Sequence, residues 1–283
     1  MSLQMTIQAV RVPISTPTLW PHTATNSYLI GNAEESVLVD AGYDHPSTRA
    51  ELEKAVQEHG LARPSSIIFT HHHPDHVPGV RQLTDWQLAF YCHERDKRAI
   101  SGALHPQDEL RTLADEETIQ VGGADIRILH TPGHTAGHLS LYIPSEKILI
   151  AGDNILSEGT TWIGPPDGNM RDYLRSLERL KQLDLEKLGP GHGTWVTDPY
   201  ERIDFVITRR LHREEQIQQM LSEHGQLTAY DLTKYMYEGY IHPSVFGVAQ
   251  KTTEAHLVKL MEDGAVVQQG SAYSLQSICE HNI

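Results

Sequence analysis

The chain has 283 residues, 39% of them hydrophobic and 21% charged, a balance that excludes a wholly disordered chain and suits one large domain or two unequal ones. With 23 Lys and Arg against 37 Asp and Glu, the net charge of −14 is a poor fit to general polyanion binding. Apolar runs such as Ile148-Leu-Ile-Ala151 fall far short of the roughly 18 residues of a spanning helix, and no basic segment leads into a long apolar run, so no membrane association is expected and the cytoplasm is the expected compartment.

In the first two hundred residues, short β-like runs alternate with helical ones. Tyr28–Gly31 and Ser36–Asp40 read as strands joined by a polar turn, Pro46–His59 as a helix with Leu52 and Val56 at helical spacing, and Ser66–Thr70 as another buried strand. Strands follow at Ile126–Leu129, Leu139–Ile143 and Lys147–Ala151. Hairpins mixed with helix crossovers predict packed sheets covered by helices. Asp198-Pro-Tyr-Glu201 then looks like a capping box, with Asp198 as cap, Pro199 at the first helical position and a long helix running to about Glu223. The domain boundary is placed here, giving 1–198 and 199–283. Beyond it come a helix around Thr228–Tyr237, a loop with Gly239 and Pro243, a helix with Leu257, Leu260 and Met261 on one face, and a hairpin from Val266 to Leu275. Three helices and a hairpin outline a winged helix-turn-helix.

The chemistry is announced by histidine, of which there are 18. Thr70-His-His-His-Pro-Asp-His-Val-Pro-Gly79 starts where a buried strand ends, and His71, His73, Asp75 and His76 offer four donors within six residues. Imidazole and carboxylate suit zinc or a similar transition ion. Further donors, His134, Asp153 and His192, each follow a glycine near a strand end, which lets the backbone turn sharply. Most other histidines, among them His45, His59, His212 and His256, read as surface residues, and His72 and His93 are left out of the ligand set. The two cysteines, Cys92 and Cys279, form no CxxC pair, so neither a disulfide framework nor a thiolate site is expected.

This set of motifs resembles the five-motif metal site of the metallo-β-lactamase superfamily. Asp40, in Val39-Asp-Ala-Gly42, matches that superfamily's early Asp, which supports the ligands from behind. The resemblance implies an α+β chain: an αβ/βα sandwich followed by a small winged-helix domain. It implies two divalent metal ions, zinc with iron or manganese as alternatives. His71, His73 and His134 would hold one, Asp75, His76 and His192 the other, and Asp153 would bridge. Asp75 would double as the catalytic residue, orienting the nucleophilic hydroxide or taking its proton. His138 would either support the ligands or face the substrate. Leu156–Thr161, Tyr173–Leu180, Pro190–Gly193, Arg209–Gln216 and Ala255–Leu260 are similar to the β-lactamase-like protein 2 group, in which a winged helix follows the hydrolase domain.

The expected activity is hydrolysis of a small ester, thioester or lactone. The alternatives are endoribonuclease action on short single-stranded RNA and, behind it, a metal- or ligand-sensing DNA-binding regulator. From Pro199 onward 7 Lys and Arg face 11 Asp and Glu, leaving −4, so double-stranded DNA is not an expected partner unless Arg209, Arg210 and Arg213 form a local basic stripe. The apolar face of Leu257, Leu260 and Met261 suggests a homodimer. Glu158, Thr160, Trp162 and the loop from Thr18 to Asn26 are candidates for the pocket wall.

Overall fold

The computed structural model of the chain describes residues 7–17 and 23–276. Its elements, in order, are β1 (Gln8–Ser15), β2 (Ala24–Gly31), β3 (Ser36–Val39), α1 (Thr48–Glu58), β4 (Ser66–Ile68), β5 (Ala89–Cys92), α2 (Glu94–Ser101), β6 (Leu110–Thr112), β7 (Thr118–Val121), β8 (Ala124–His130), β9 (Leu139–Ile143), β10 (Ile148–Gly152), α3 (Met170–Leu180) and β11 (Lys187–Pro190). The first sheet has the order β1-β2-β3-β4-β5-β6, antiparallel from β1 to β3 and parallel from β3 to β6. The second runs β11-β10-β9-β8-β7 and is antiparallel except for the β10–β11 pair.

Side chains alternate across a strand, so a strand buried on both faces reads as an unbroken apolar run. In β2, Tyr28 and Ile30 turn toward the second sheet, where they meet Ile128, Leu141 and Ile150, while Leu29 turns the other way and packs with Leu38, Leu52 and Ile100 under α1 and α2. On the far side of the second sheet, Leu149 and Leu188 pack against Tyr173, Leu177 and Leu180 of α3. Helices thus cover both outer faces of a two-sheet sandwich, as the resemblance implied.

The winged helix consists of α4 (Pro199–His224), β12 (Leu227–Thr228), α5 (Ala229–Tyr237), α6 (Phe246–Glu262), β13 (Val266–Gln269) and β14 (Ala272–Leu275), with a small sheet in the order β12-β14-β13. α4 is shared between two cores. Its first turns place Ile203, Val206 and Ile207 in the sandwich, and its last turns place Ile217 and Leu221 among Leu232, Leu257 and Leu260. Leu257 and Leu260 are therefore buried within the chain, and the surplus apolar face from which a dimer was expected does not exist at these positions. Asp198 also differs from expectation. It makes no side-chain cap bond to α4, because its carboxylate takes the Thr197 hydroxyl at 3.2 Å. The capping box is found instead at α5, between Thr228 and Asp231. His256 is fully buried rather than on the surface. Cys92 is a buried free thiol, while Cys279, His22 and His281 lie outside the described residues. Among those residues, no helix is long and apolar enough to cross a membrane.

Candidate metal centre

Strand ends deliver the site. Asp40 directly follows β3, the loop from Thr70 to His76 follows β4, His134 lies between β8 and β9, Asp153 follows β10, and His192 follows β11. Two glycines make the close approaches. Gly152 has φ 51°, and a Cβ there would lie 2.6 Å from His138 Nε2; one on Gly191 would run into the Asp153 carboxylate.

Seven side chains form two donor groups, His71, His73, His134 and Asp153 in one and Asp75, His76 and His192 in the other, each with donor atoms within 4.8 Å of one another. In the first, His73 Nδ1 lies 3.0 Å from His71 Nε2 and 2.9 Å from His134 Nε2. In the second, His192 Nε2 stands 3.2 Å from Asp75 Oδ2 and His76 Nε2 stands 3.5 Å from the same oxygen. Asp153 faces both groups, with Oδ1 3.3 Å from His76 Nε2, and Oδ2 3.3 Å from His192 Nε2 and 3.7 Å from His134 Nε2.

The outward partners fix which ring nitrogen faces in. His134 Nδ1 donates to Trp162 O at 2.7 Å and His192 Nδ1 to Ala24 O at 2.9 Å, since a carbonyl only accepts. His76 Nδ1 donates to Asp40 Oδ2 at 2.7 Å. Asp40 also accepts from the Thr70 backbone N–H and the Thr70 hydroxyl, both at 2.7 Å, and that hydroxyl in turn accepts from His71 Nδ1 at 2.9 Å. Four imidazoles therefore turn Nε2 inward, and His73 turns Nδ1 inward. Such outward bonds hold ligand rings at a fixed angle.

Burial and the neighbouring imidazoles push His71 well down, and burial with His134 lowers His73 to about 3. These rings are neutral and ready to donate. In the second group burial opposes charge, but Asp75, Asp153 and Asp40 raise His76, and the same opposition is overcome at His192 by Asp153 and Asp75, to about 10. Burial likewise works against the Asp75 carboxylate, yet His76 and His192 hold it well below the usual range.

The donor set fits a pair of cations. His76 Nε2 and Asp153 Oδ1 are buried and stand 3.3 Å from each other without forming a hydrogen bond, a poorly satisfied state that native interiors avoid. The nitrogens His71 Nε2, His73 Nδ1 and His134 Nε2 lack protons enough to satisfy one another, whereas a transition ion accepts every lone pair.

His138 is fully buried, with Nδ1 3.0 Å from the Thr131 hydroxyl and its ring 5.3 Å from that of His71. It belongs to neither donor group. His72 turns outward to Asp96 at 3.0 Å, and His93 stacks on His130 at 3.9 Å. Of the pocket-wall candidates, Trp162 stands with its ring 6.3 Å from that of His73, Glu158 lines a neighbouring depression with Thr194 and Phe205, and residues 18–22 lie outside the described residues. Thr25, inside the Thr18–Asn26 candidate segment and placed on β2, donates to Asp75 Oδ2 at 2.8 Å, while one supporting residue escaped the sequence reading. Asp96 accepts from the His72 backbone N–H at 3.1 Å and the Thr135 hydroxyl at 3.0 Å, tying two ligand loops to α2. Nothing in its local sequence, a charged helical run, marks it.

With a two-sheet sandwich, a winged helix and this donor set in place, the chain belongs to the metallo-beta-lactamase superfamily, whose family model matches residues 20–192, and the beta-lactamase associated winged helix domain matches residues 228–274. It is a hydrolase of that superfamily. Among its relatives is a beta-lactamase-like protein 2 homolog of Caenorhabditis elegans, 33% identical over 247 residues, covering 86% of this chain and 80% of the relative. An atrochrysone carboxyl ACP thioesterase of Aspergillus chevalieri is 30% identical over 229 residues, covering 80% and 70%. Of solved structures, a metallo-beta-lactamase family protein of Thermus thermophilus superposes with a TM-score of 0.78 at 27% identity, covering 94% of this chain and 98% of that one. A protein crystallised in a di-iron-bound form gives a TM-score of 0.53 at 30% identity, covering 65% and 94%.

Proposed function

We propose that the chain is a dinuclear metal-dependent hydrolase of a small ester, thioester or lactone, with thioesters the first class to test. The observation that carries the reading is the convergence of five inward imidazole nitrogens and two carboxylates in two adjoining donor groups, with His76 Nε2 and Asp153 Oδ1 facing each other at 3.3 Å without a formed hydrogen bond. His71, His73 and His134 hold one ion, Asp75, His76 and His192 the other, and Asp153 faces both; zinc fits the donors, and the di-iron-bound neighbour supports iron as the alternative. When bound, the ions supply a water acidified toward neutral pH and polarise the carbonyl under attack.

The protein's own contribution is positional. Asp75, with 16% of its side chain exposed, is the more open of the two carboxylates, so the substrate enters on its side. Thr25 donates to Asp75 Oδ2 and leaves Oδ1 free to orient the attacking water or take its proton. Trp162 adds an apolar wall beside His73. The fungal relative named as an acyl-carrier thioesterase supports the thioester class.

The DNA-binding alternative loses its basic stripe, because Arg210 is buried and Arg213 is engaged by Gln216 and the ring of Tyr237. We divide the chain at 198/199, with residues 1–198 carrying the chemistry and 199–283 walling it; the support is that α4 opens at Pro199. The test is to load the protein with zinc or iron, measure the ions per chain, and screen thioesters, lactones and single-stranded RNA. Two ions and thioester or ester turnover are expected; correctly folded protein with only trace metal after loading, or turnover confined to RNA, would sink the reading.

A further inference from the structure

The loop from Leu156 to Trp162 runs beside the metal centre, and arginines of α4 hold it at both ends. Arg202 donates from Nε to Leu156 O at 2.7 Å and from Nη2 to Gly159 O. Arg210 donates from Nη2 to Thr161 O. Residues four apart on a helix lie on one stripe, so Arg202, Val206 and Arg210 face the sandwich together, the two arginines about 12 Å apart along the axis at 1.5 Å per residue. Val206 is buried in the sandwich core between them.

Arg210 is 6% exposed. Burying a permanent charge is costly, and here its partners are a carbonyl oxygen and an aromatic face, the Tyr173 ring lying 5.6 Å away. Both partners lead to the metal centre. Thr161 precedes Trp162, whose carbonyl receives the His134 Nδ1 proton at 2.7 Å. The Tyr173 hydroxyl donates at 2.7 Å to the carbonyl of Asn154, the residue after Asp153. Arg210 is thus one neighbour away from the two segments that aim His134 and Asp153.

We propose that Arg210 is a positioning residue of the metal centre: by anchoring Thr161 it fixes the Trp162 carbonyl and, through it, the His134 imidazole, so that a helix of the winged-helix part sets the metal affinity of the His71–His73–His134–Asp153 group. The inference rests on the metal-centre reading above. It separates from a merely structural role because it acts chiefly on one donor group, the other being touched only through Asp153. A general loosening of the fold would weaken both groups together.

The experiment titrates full-length protein with cobalt(II), following its visible absorption and competing it with a chelator. The parent, Arg210→Met and Arg202→Met are compared, with the melting of each metal-free protein recorded. The parent binds two ions. Arg210→Met is expected to weaken one of them about tenfold, the low end of the loss that follows removal of a ligand's outer support, with altered absorption for that ion and a clearly smaller loss for the other, which shares only Asp153. Arg202→Met, which frees the start of the same loop, shifts the same ion by less and decides the matter alone should Arg210→Met fail to fold. Unchanged affinities and spectrum overturn the inference, and so does equal weakening of both ions. A parent chain that takes up no cobalt overturns the metal-centre reading itself, and that result is read without any variant.

Discussion

At the metal centre, buried histidines face buried carboxylates with no lysine or arginine among the described residues paired to them, whereas between α4 and α6 a single buried histidine shares its carboxylate with a lysine. Asp40, Asp75 and Asp153 find histidines, hydroxyls and a backbone N–H as partners. Glu214, 6% exposed, takes Lys259 at 2.8 Å and His256 Nδ1 at 3.3 Å. Burial keeps His256 neutral, lowered to about 4 despite Glu214. The difference shows what a buried histidine signifies. Beside a lysine–carboxylate pair it completes a structural network, while several around carboxylates that only histidines neutralise form a donor set that a cation fits by displacing the His76 and His192 protons.

The comparison breaks first at Asp75. Asp75→Asn is expected to lower turnover by about two to four orders of magnitude while the ion of the His71–His73–His134 group stays bound. Turnover and metal content measured side by side decide this, and parental turnover removes Asp75 from the chemistry. The next effect belongs to His256 and is one of stability. Its folded value of about 4 lies below the ordinary 6.5, so between those values the unfolded chain binds a proton that the folded chain refuses. Stability is complete above pH 6.5 and falls as pH drops toward 4, by on the order of 3 kcal/mol in all. Urea unfolding at pH 7 and pH 4.5 should show a smaller difference in His256→Leu than in the parent; equal differences would place the acid sensitivity elsewhere.

The donors were legible because their spacing is set by covalent geometry: ligands on one loop must be close in sequence, and those beyond it must sit where a strand stops. His134, Asp153 and His192 each follow a glycine for that reason. The supports were not, since their partners come from far along the chain. Ala24 O and Trp162 O act as backbone atoms, which any residue supplies, and Asp96 lies 24 residues from the His72 it holds. His256 was read as exposed because a helical face containing histidine is ordinarily wet, and only the packing of α4 on α6 reverses that. β1, with Arg11 and Pro13 breaking its apolar pattern, also went unseen; its eight-residue ladder with β2 secures it.

A middle-sized effect sharpens the distinction between ligand and support. Asp40 belongs to neither donor group but receives the His76 Nδ1 proton and the Thr70 hydroxyl. Asp40→Asn retains the shape and tolerates the left-handed φ of 57° found there. It replaces a charged acceptor by a neutral one and is expected to weaken metal binding by about tenfold to a hundredfold, chiefly for the ion of the Asp75–His76–His192 group. Chelator competition measures this, and an equal loss in both groups would make Asp40 a support of the whole loop rather than of His76.

The smallest effect compares the two helix starts of the winged-helix part. Asp198-Pro-Tyr-Glu201 has the letters of a capping box, and Thr228-Ala-Tyr-Asp231 has its geometry. At α4 the backbone of Asp198 has φ −117° and ψ 70°, and its carboxylate is turned to Thr197 instead of the first-turn N–H groups. At α5 the Thr228 hydroxyl accepts from Asp231 N at 3.1 Å, and the Asp231 carboxylate accepts from Thr228 N at 3.0 Å. Each start leaves backbone donors that the helix cannot pair internally, but only the second has them met by side chains. Thr228→Ala is therefore expected to cost about 1 kcal/mol, and Asp198→Ala no more than about 0.5 kcal/mol. Denaturant unfolding of the two variants measures both, and a larger loss at Asp198 than at Thr228 would mean that the carboxylate caps α4 in solution after all.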